Sequence, residues 1–137
     1  MAAYNKFNSF VEAVAEKVHN LGSDSLKVAL CAAANAPVAT NTQLSNLTEI
    51  SYTNLSARVV TTTSSAQTSG TYKLVLADLV LTASGAVGPF RYVVLYNDTA
   101  TNKELIAWWD YGSDVTLANG DTFTLDFDGT NGVLQLA

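Results

Sequence analysis

A chain of 137 residues is one domain in length and can bury about two thirds of its unfolded surface. Hydrophobic residues make up 48% and charged residues only 14%, with a net charge of −5. The seven cations, Lys6, Lys17, Lys27, Arg58, Lys73, Arg91 and Lys103, are scattered, which argues against nucleic-acid binding. No apolar run approaches a membrane span, and the lone Cys31 rules out an internal disulfide framework.

The chain opens on a helical pattern. From Asn5 to Leu21, Phe7, Phe10, Val11, Val14, Val18 and Leu21 recur at i, i+3, i+4 spacing and predict one amphipathic helix. Ser9 with Glu12 suggests a capping box, Asn5 an alternative N-cap, and Gly22 a left-handed C-terminal stop. Lys17 and His19 would then face the helix's negative end. This polar-interrupted pattern is not the h-region of a signal peptide.

After Gly22 the period shortens. Leu26–Ala32 reads as a buried strand, with Cys31 as a structural thiol inside it. Residues 33–46, small and polar around Pro37, predict a long loop, a common interaction element. Residues 47–51 and 57–63 are weak strand candidates, and the Thr-rich run to Gly70 is an edge ribbon or a loop. Residues 72–81 predict one long central strand. In 90–96, Phe90, Tyr92, Val94 and Tyr96 are expected on one face, with Arg91, Val93 and Leu95 on the other. Both sets are mainly apolar, so the strand should be covered twice or lie at a subunit contact. Residues 105–110 should pair with it. Asn119-Gly120 predicts a hairpin between 115–117 and 122–127, with Phe123, Leu125 and Phe127 facing in. A second turn over 128–132 returns the chain as the last strand. The fold class expected is mainly β: a single-domain antiparallel β-sandwich, jelly-roll-like, over about 25–137, with one N-terminal amphipathic helix.

Reactive chemistry is sparse. His19 is the only histidine and reads as a surface or helix-capping residue. Residues 126–132 fail the EF-hand spacing and read as an Asp/Gly/Asn turn, with weak calcium binding as the alternative. Glu104 and Asp110 would lie roughly 20 Å apart along a strand, too far for a glycosidase pair. Trp108, Trp109 and Tyr111, with Tyr92 and Tyr96, suggest either core and interface packing or a sugar-stacking platform. Trp108 and Trp109 must point to opposite faces, so only one joins the core. The expectation is no enzyme, no cofactor and no metal.

Several motifs carry a resemblance. They are Tyr4-Asn5-Lys6-Phe7-Asn8-Ser9-Phe10-Val11-Glu12, the run 16–21, Leu26-Lys27-Val28-Ala29-Leu30, the run 36–42, and Thr68-Ser69-Gly70-Thr71-Tyr72-Lys73-Leu74-Val75-Leu76. Gly88-Pro89-Phe90-Arg91-Tyr92 through Asp98, and Trp109-Asp110-Tyr111-Gly112, complete the set. Over nearly the whole chain this combination resembles small tailed-bacteriophage structural proteins of the head decoration, or cement, type. The resemblance implies a protein made in the host cytoplasm and bound to the outer surface of the phage head. Its partners would be the major capsid protein and itself, as homodimer or homotrimer, with no nucleic acid and no membrane. The contact surface expected comprises Phe7, Phe10, Val14, Pro37, Tyr92, Tyr96, Trp108 and Trp109. The alternative is a tail-fibre or receptor- and carbohydrate-binding module of the virion.

Overall fold

Two long strands, β7 (Val87–Asn97) and β8 (Leu105–Leu117), form the antiparallel spine of the domain in a computed structural model that describes residues 2–137. Around them stand β1 (Asn5–Lys6), α1 (Phe10–Ala15), β2 (Leu26–Cys31), β3 (Val59–Val60), β4 (Thr62–Thr68), β5 (Thr71–Leu76), β6 (Leu79–Thr82), β9 (Thr122–Leu125) and β10 (Leu134–Leu136). The strands divide into a five-stranded sheet ordered β1-β8-β7-β2-β3, a three-stranded sheet β10-β5-β4 and the pair β6-β9. All pairings are antiparallel. The domain is mainly β and sandwich-like, as the sequence led us to expect.

The centre of the five-stranded sheet, β2, the second half of β7 and the start of β8, is buried on both faces, which explains its nearly unbroken apolar strands. One face sends Val28, Leu30, Val93, Leu95 and Ile106 into the main core, with Phe10, Leu74, Leu76, Leu81 and Leu125. The other face sends Ala29, Cys31, Val94, Tyr96 and Leu105 into a second cluster with Phe7. That cluster is closed by Leu44, Leu47 and Trp108. The long loop therefore covers its own sheet. Leu44 N–H donates to Lys103 O (3.0 Å) and Leu105 N–H to Thr42 O (3.0 Å), fastening the loop to the start of β8.

The helix is much shorter than its periodicity predicts. Asn5 and Lys6 pair with Trp108 and Ala107 as a strand, so Phe7 drops into the second cluster before any helix begins. Ser9 is the N-cap but makes no side-chain cap bond, so the capping box is absent. Lys17 adopts φ +67° and ends the helix five residues before Gly22. Val18 N–H then returns to Ala13 O (2.9 Å), turning His19 and Leu21 inward. Val11, a member of the expected stripe, is 51% exposed. Two short segments met one apolar spacing, and strand pairing at β8 claimed the first of them.

Other departures share one cause: turns and bulges re-aim strands that look continuous in sequence. The expected central strand over 72–81 breaks at Ala77-Asp78, where Asp78 Oδ1 accepts the Phe127 N–H (2.9 Å). β5 then joins β4 and β10, while β6 joins β9. The Asn119-Gly120 turn forms, with Gly120 at φ +88°. It is a corner and not a hairpin, because β9 pairs with β6 and leaves β8. Residues 47–51 form no strand, while the Thr-rich ribbon is the edge strand β4.

In the spine, Phe90 pairs with Val115 and Tyr92 with Asp110, so residues 111–114 stand opposite Arg91 alone. This bulge breaks the expected alternation. Phe90 shares the main core with Val93 and Leu95, while Tyr92 lies with Val94 and Tyr96. Arg91 spans the bulge, donating to Asp110 at 2.8 and 3.1 Å. That bidentate pairing holds the Asp110 carboxyl below the usual carboxylate range.

Beyond the two residues paired with β3, the edge of β2 is satisfied irregularly. Val28 N–H donates to Arg58 O (3.0 Å), and Leu30 N–H donates to the Tyr52 hydroxyl (2.9 Å). Tyr52 in turn donates to Glu49 Oε1 (2.7 Å), and the Arg58 guanidinium lies 3.6 Å over its ring. A side-chain hydroxyl thus stands in for a strand carbonyl. Tyr52→Phe should strand the buried Leu30 N–H and cost about 1–3 kcal/mol in urea unfolding. A loss under about 0.5 kcal/mol would mean that this edge needs no such partner.

Candidate binding groove

The β8 bulge does more than reset the register. Gly112, at φ +96°, lets the chain turn outward, and its N–H donates to Asp110 Oδ1 (2.8 Å). Tyr111 is thereby thrown to the surface, 53% exposed. The corner at Asn119-Gly120 brings β9 alongside it, with Phe123, Leu125 and Phe127 on the inward side. Between them lies an open groove of about 770 Å³.

Five aromatic rings line this groove: Tyr4, Trp109, Tyr111, Phe123 and Phe127. They brace one another edge to face. Ring centroids are 5.9 Å apart for Tyr4–Trp109, 6.1 Å for Trp109–Phe127 and 5.2 Å for Tyr111–Phe123. Such contacts fix ring orientation as well as burying area. Thr122, Thr124, Asp126 and Asp128 add polar groups to the lining, which holds no lysine, arginine or histidine among the described residues. Burial pushes the Tyr4 hydroxyl up to about 12.

Asp128 is already occupied. Its Oδ1 accepts the Thr130 and Asn131 N–H groups at 2.9 and 2.8 Å, and Oδ2 accepts from Asn131 Nδ2 at 3.0 Å. These bonds hold its carboxyl below the usual range. The 128–132 segment is thus a self-satisfied turn. Asp126 is exposed and has no hydrogen bond or ion pair among the described residues.

A second polar constellation lies at the end of the helix segment. His19 is 7% exposed, which overturns its expected surface or capping place. Asn97 Nδ2 donates to His19 Nδ1 (3.0 Å) and Asp24 Oδ2 (2.6 Å), while its Oδ1 accepts the Thr99 and Ala100 N–H groups. His19 Nε2 and Glu104 Oε2 are buried without a partner among the described residues. Burial pulls His19 below its ordinary value, against the opposing pull of Glu104 and Asp24.

A histidine held neutral by folding stabilises above its unfolded value of about 6.5. That contribution is lost as pH falls from there through the lower folded value. His19 is the only histidine, so between about pH 7 and pH 5.5 the thermal midpoint should fall as acid is added. His19→Gln should flatten that slope. A midpoint rising with acid would mean that the two carboxylates outweigh burial.

The candidate contact residues separate sharply. Phe7, Phe10, Pro37 and Tyr96 are buried within the chain. Val14, Tyr92, Trp108 and Trp109 are half-buried. Trp108 and Trp109 point to opposite faces as expected, but each joins a cluster: Trp108 lies 4.6 Å from the Phe7 ring, and Trp109 packs on the main core. The expected aromatic platform is also divided. Trp109 and Tyr111 share the groove, while Tyr92, Tyr96 and Trp108 lie across the sheet. Phe123 and Phe127 were legible only as inward-facing, and nothing in the sequence singled out Tyr4. Cys31 is buried as expected, its thiol pushed up to about 11 by burial and Glu49.

The architecture is thus a mainly β antiparallel domain with one aromatic groove formed by β8, β9 and their flanking segments. Compared with protein-family models, curated proteins and solved structures, the chain matches none.

Proposed function

We propose that this protein is a non-enzymatic component of a tailed-bacteriophage virion, a head decoration protein that binds the shell of the major capsid protein. One structural observation carries the non-enzymatic part: three charged constellations are spent on the scaffold. Arg91–Asp110 spans a bulge, Arg58–Tyr52–Glu49 closes a sheet edge, and Asp128 closes its own turn. The resemblance over nearly the whole chain supplies the virion and its head. A rigid scaffold offering fixed surfaces suits repeated contacts that gain strength through symmetry.

The contact surface is redrawn by burial. Val11 and Val38 are 51% and 52% exposed, on the helix and the long loop. Asn8 N–H donates to Ala39 O (2.9 Å), tying those two segments together. We assign shell contact to this helix-and-loop region, with the protein binding as a dimer or trimer on local symmetry axes. Purified protein should cosediment with assembled capsid shells, and particles lacking it should assemble but break at lower temperature. Failure to cosediment with intact shells would overturn the reading. The aromatic groove favours a second reading, a receptor-binding module of the tail.

A further inference from the structure

We propose that the groove formed by β8 and β9 is a binding site for a neutral saccharide. This goes beyond the decoration reading and does not depend on it, since none of the groove's residues belongs to α1 or the long loop.

The argument starts from the lining. A pyranose ring has an apolar face of C–H groups and a periphery of hydroxyls. It needs flat aromatic surface for the first and hydrogen-bond acceptors for the second. The groove offers both. Trp109 is half-buried and Tyr111 is 53% exposed, and each is held by an edge-to-face neighbour. Aromatic faces are negative, and sugar C–H groups are weakly positive, so stacking is favourable beyond the area buried. Because the rings are braced, little side-chain freedom remains to be lost on binding.

The polar lining selects among ligands. Asp126 carries a carboxylate with no partner among the described residues, and the exposed Thr122 and Thr124 lie beside it. A carboxylate acceptor bonds well to hydroxyl donors and repels anions. With Asp126 and Asp128 in the lining and no lysine, arginine or histidine there among the described residues, sialylated, sulfated and phosphorylated ligands are disfavoured. At about 770 Å³ the groove falls within the range of small-ligand sites, roughly 300–1,000 Å³, and accepts a short oligosaccharide.

The test is a titration of the full chain with the neutral trisaccharides maltotriose, cellotriose and chitotriose, followed in proton–nitrogen spectra. At least one should move the Trp109 indole signal saturably, with a Kd of about 1 mM or tighter. Tyr111→Ala and Asp126→Ala should each weaken that binding by roughly tenfold while leaving the domain folded. Both residues are exposed enough that their loss should not unfold the domain. The proposal is overturned if no probe moves the Trp109 signal, or if both variants bind as the parent does. Tighter binding of a sialylated trisaccharide would also overturn it. So would a Trp109 signal that moves with protein concentration alone, which would place a second copy in the groove. A proline-rich peptide that shifts it where no sugar does would give the groove to a protein partner.

Discussion

Phe90→Ala is expected to lower unfolding stability by about 3–5 kcal/mol, among the largest effects of any single truncation. Phe90 is fully buried, and its ring meets Phe123 edge to face at 5.2 Å and 90°. It stands where the β8 bulge redirects β7, so its removal leaves a cavity between the central sheet and the β6-β9 pair. The side chains around that cavity belong to different sheets and cannot all close in together. In a double-mutant cycle, Phe90 and Phe123 should couple by about 0.5–1.5 kcal/mol. Simple alternation along β7 would instead put Phe90 with Tyr96, far from Phe123. A loss below about 1 kcal/mol, with no coupling, would contradict the bulged register.

Gly132→Ala should rank close behind. Gly132 has φ +80°, and a Cβ there would lie 2.6 Å from the carbonyl oxygen of Leu74. The backbone conformation alone costs a side chain about 1–3 kcal/mol, and the oxygen cannot retreat because Val133 N–H donates to it at 2.8 Å. β10 pairs only with β5, so this strain should release Leu134–Leu136 and expose their amides to hydrogen exchange. Gly129→Ala provides the control. No atom comes within 4 Å of a Cβ at Gly129, and it should be nearly neutral in urea unfolding. Equal effects at the two glycines would show that the close approach at Leu74 is not limiting.

What the sequence revealed divides along physical lines. Alternation and β-branching made most strands readable, because each of those patterns reports the burial of one segment. Thus β2, β7 and β9 were legible, β8 only as the separate pieces 105–110 and 115–117, and Phe123, Leu125 and Phe127 turned inward as expected. Pairing partners were not legible. Asn119-Gly120 encodes a tight turn, but whether the arms pair depends on β6 being free to receive β9. The helix was overextended because Phe7 and Phe10 satisfy a helical spacing while entering different cores. Only the competition for the edge of β8 decides between them.

The same limit applies to the groove. Trp109 and Tyr111 share a face by simple alternation, but the 53% exposure of Tyr111 follows from the outward excursion at Gly112. Period-two reasoning places residues 109 and 111 on one face and 92 and 96 on another strand's single face. It contains no term for the residues 111–114 that stand opposite Arg91 alone. Tyr4 reaches the groove through the pairing of β1 with β8, a contact between chain segments about a hundred residues apart. His19 was misplaced for a related reason: its burial depends on Lys17 ending the helix early, at a left-handed backbone that a lysine rarely adopts.

The decoration reading is tested most directly by counting. Quantitative mass spectrometry of purified phage particles gives the number of copies of this protein relative to the major capsid protein. The reading predicts about one copy per shell subunit, or a simple fraction of that set by local symmetry. A handful of copies per particle, or none, would contradict it.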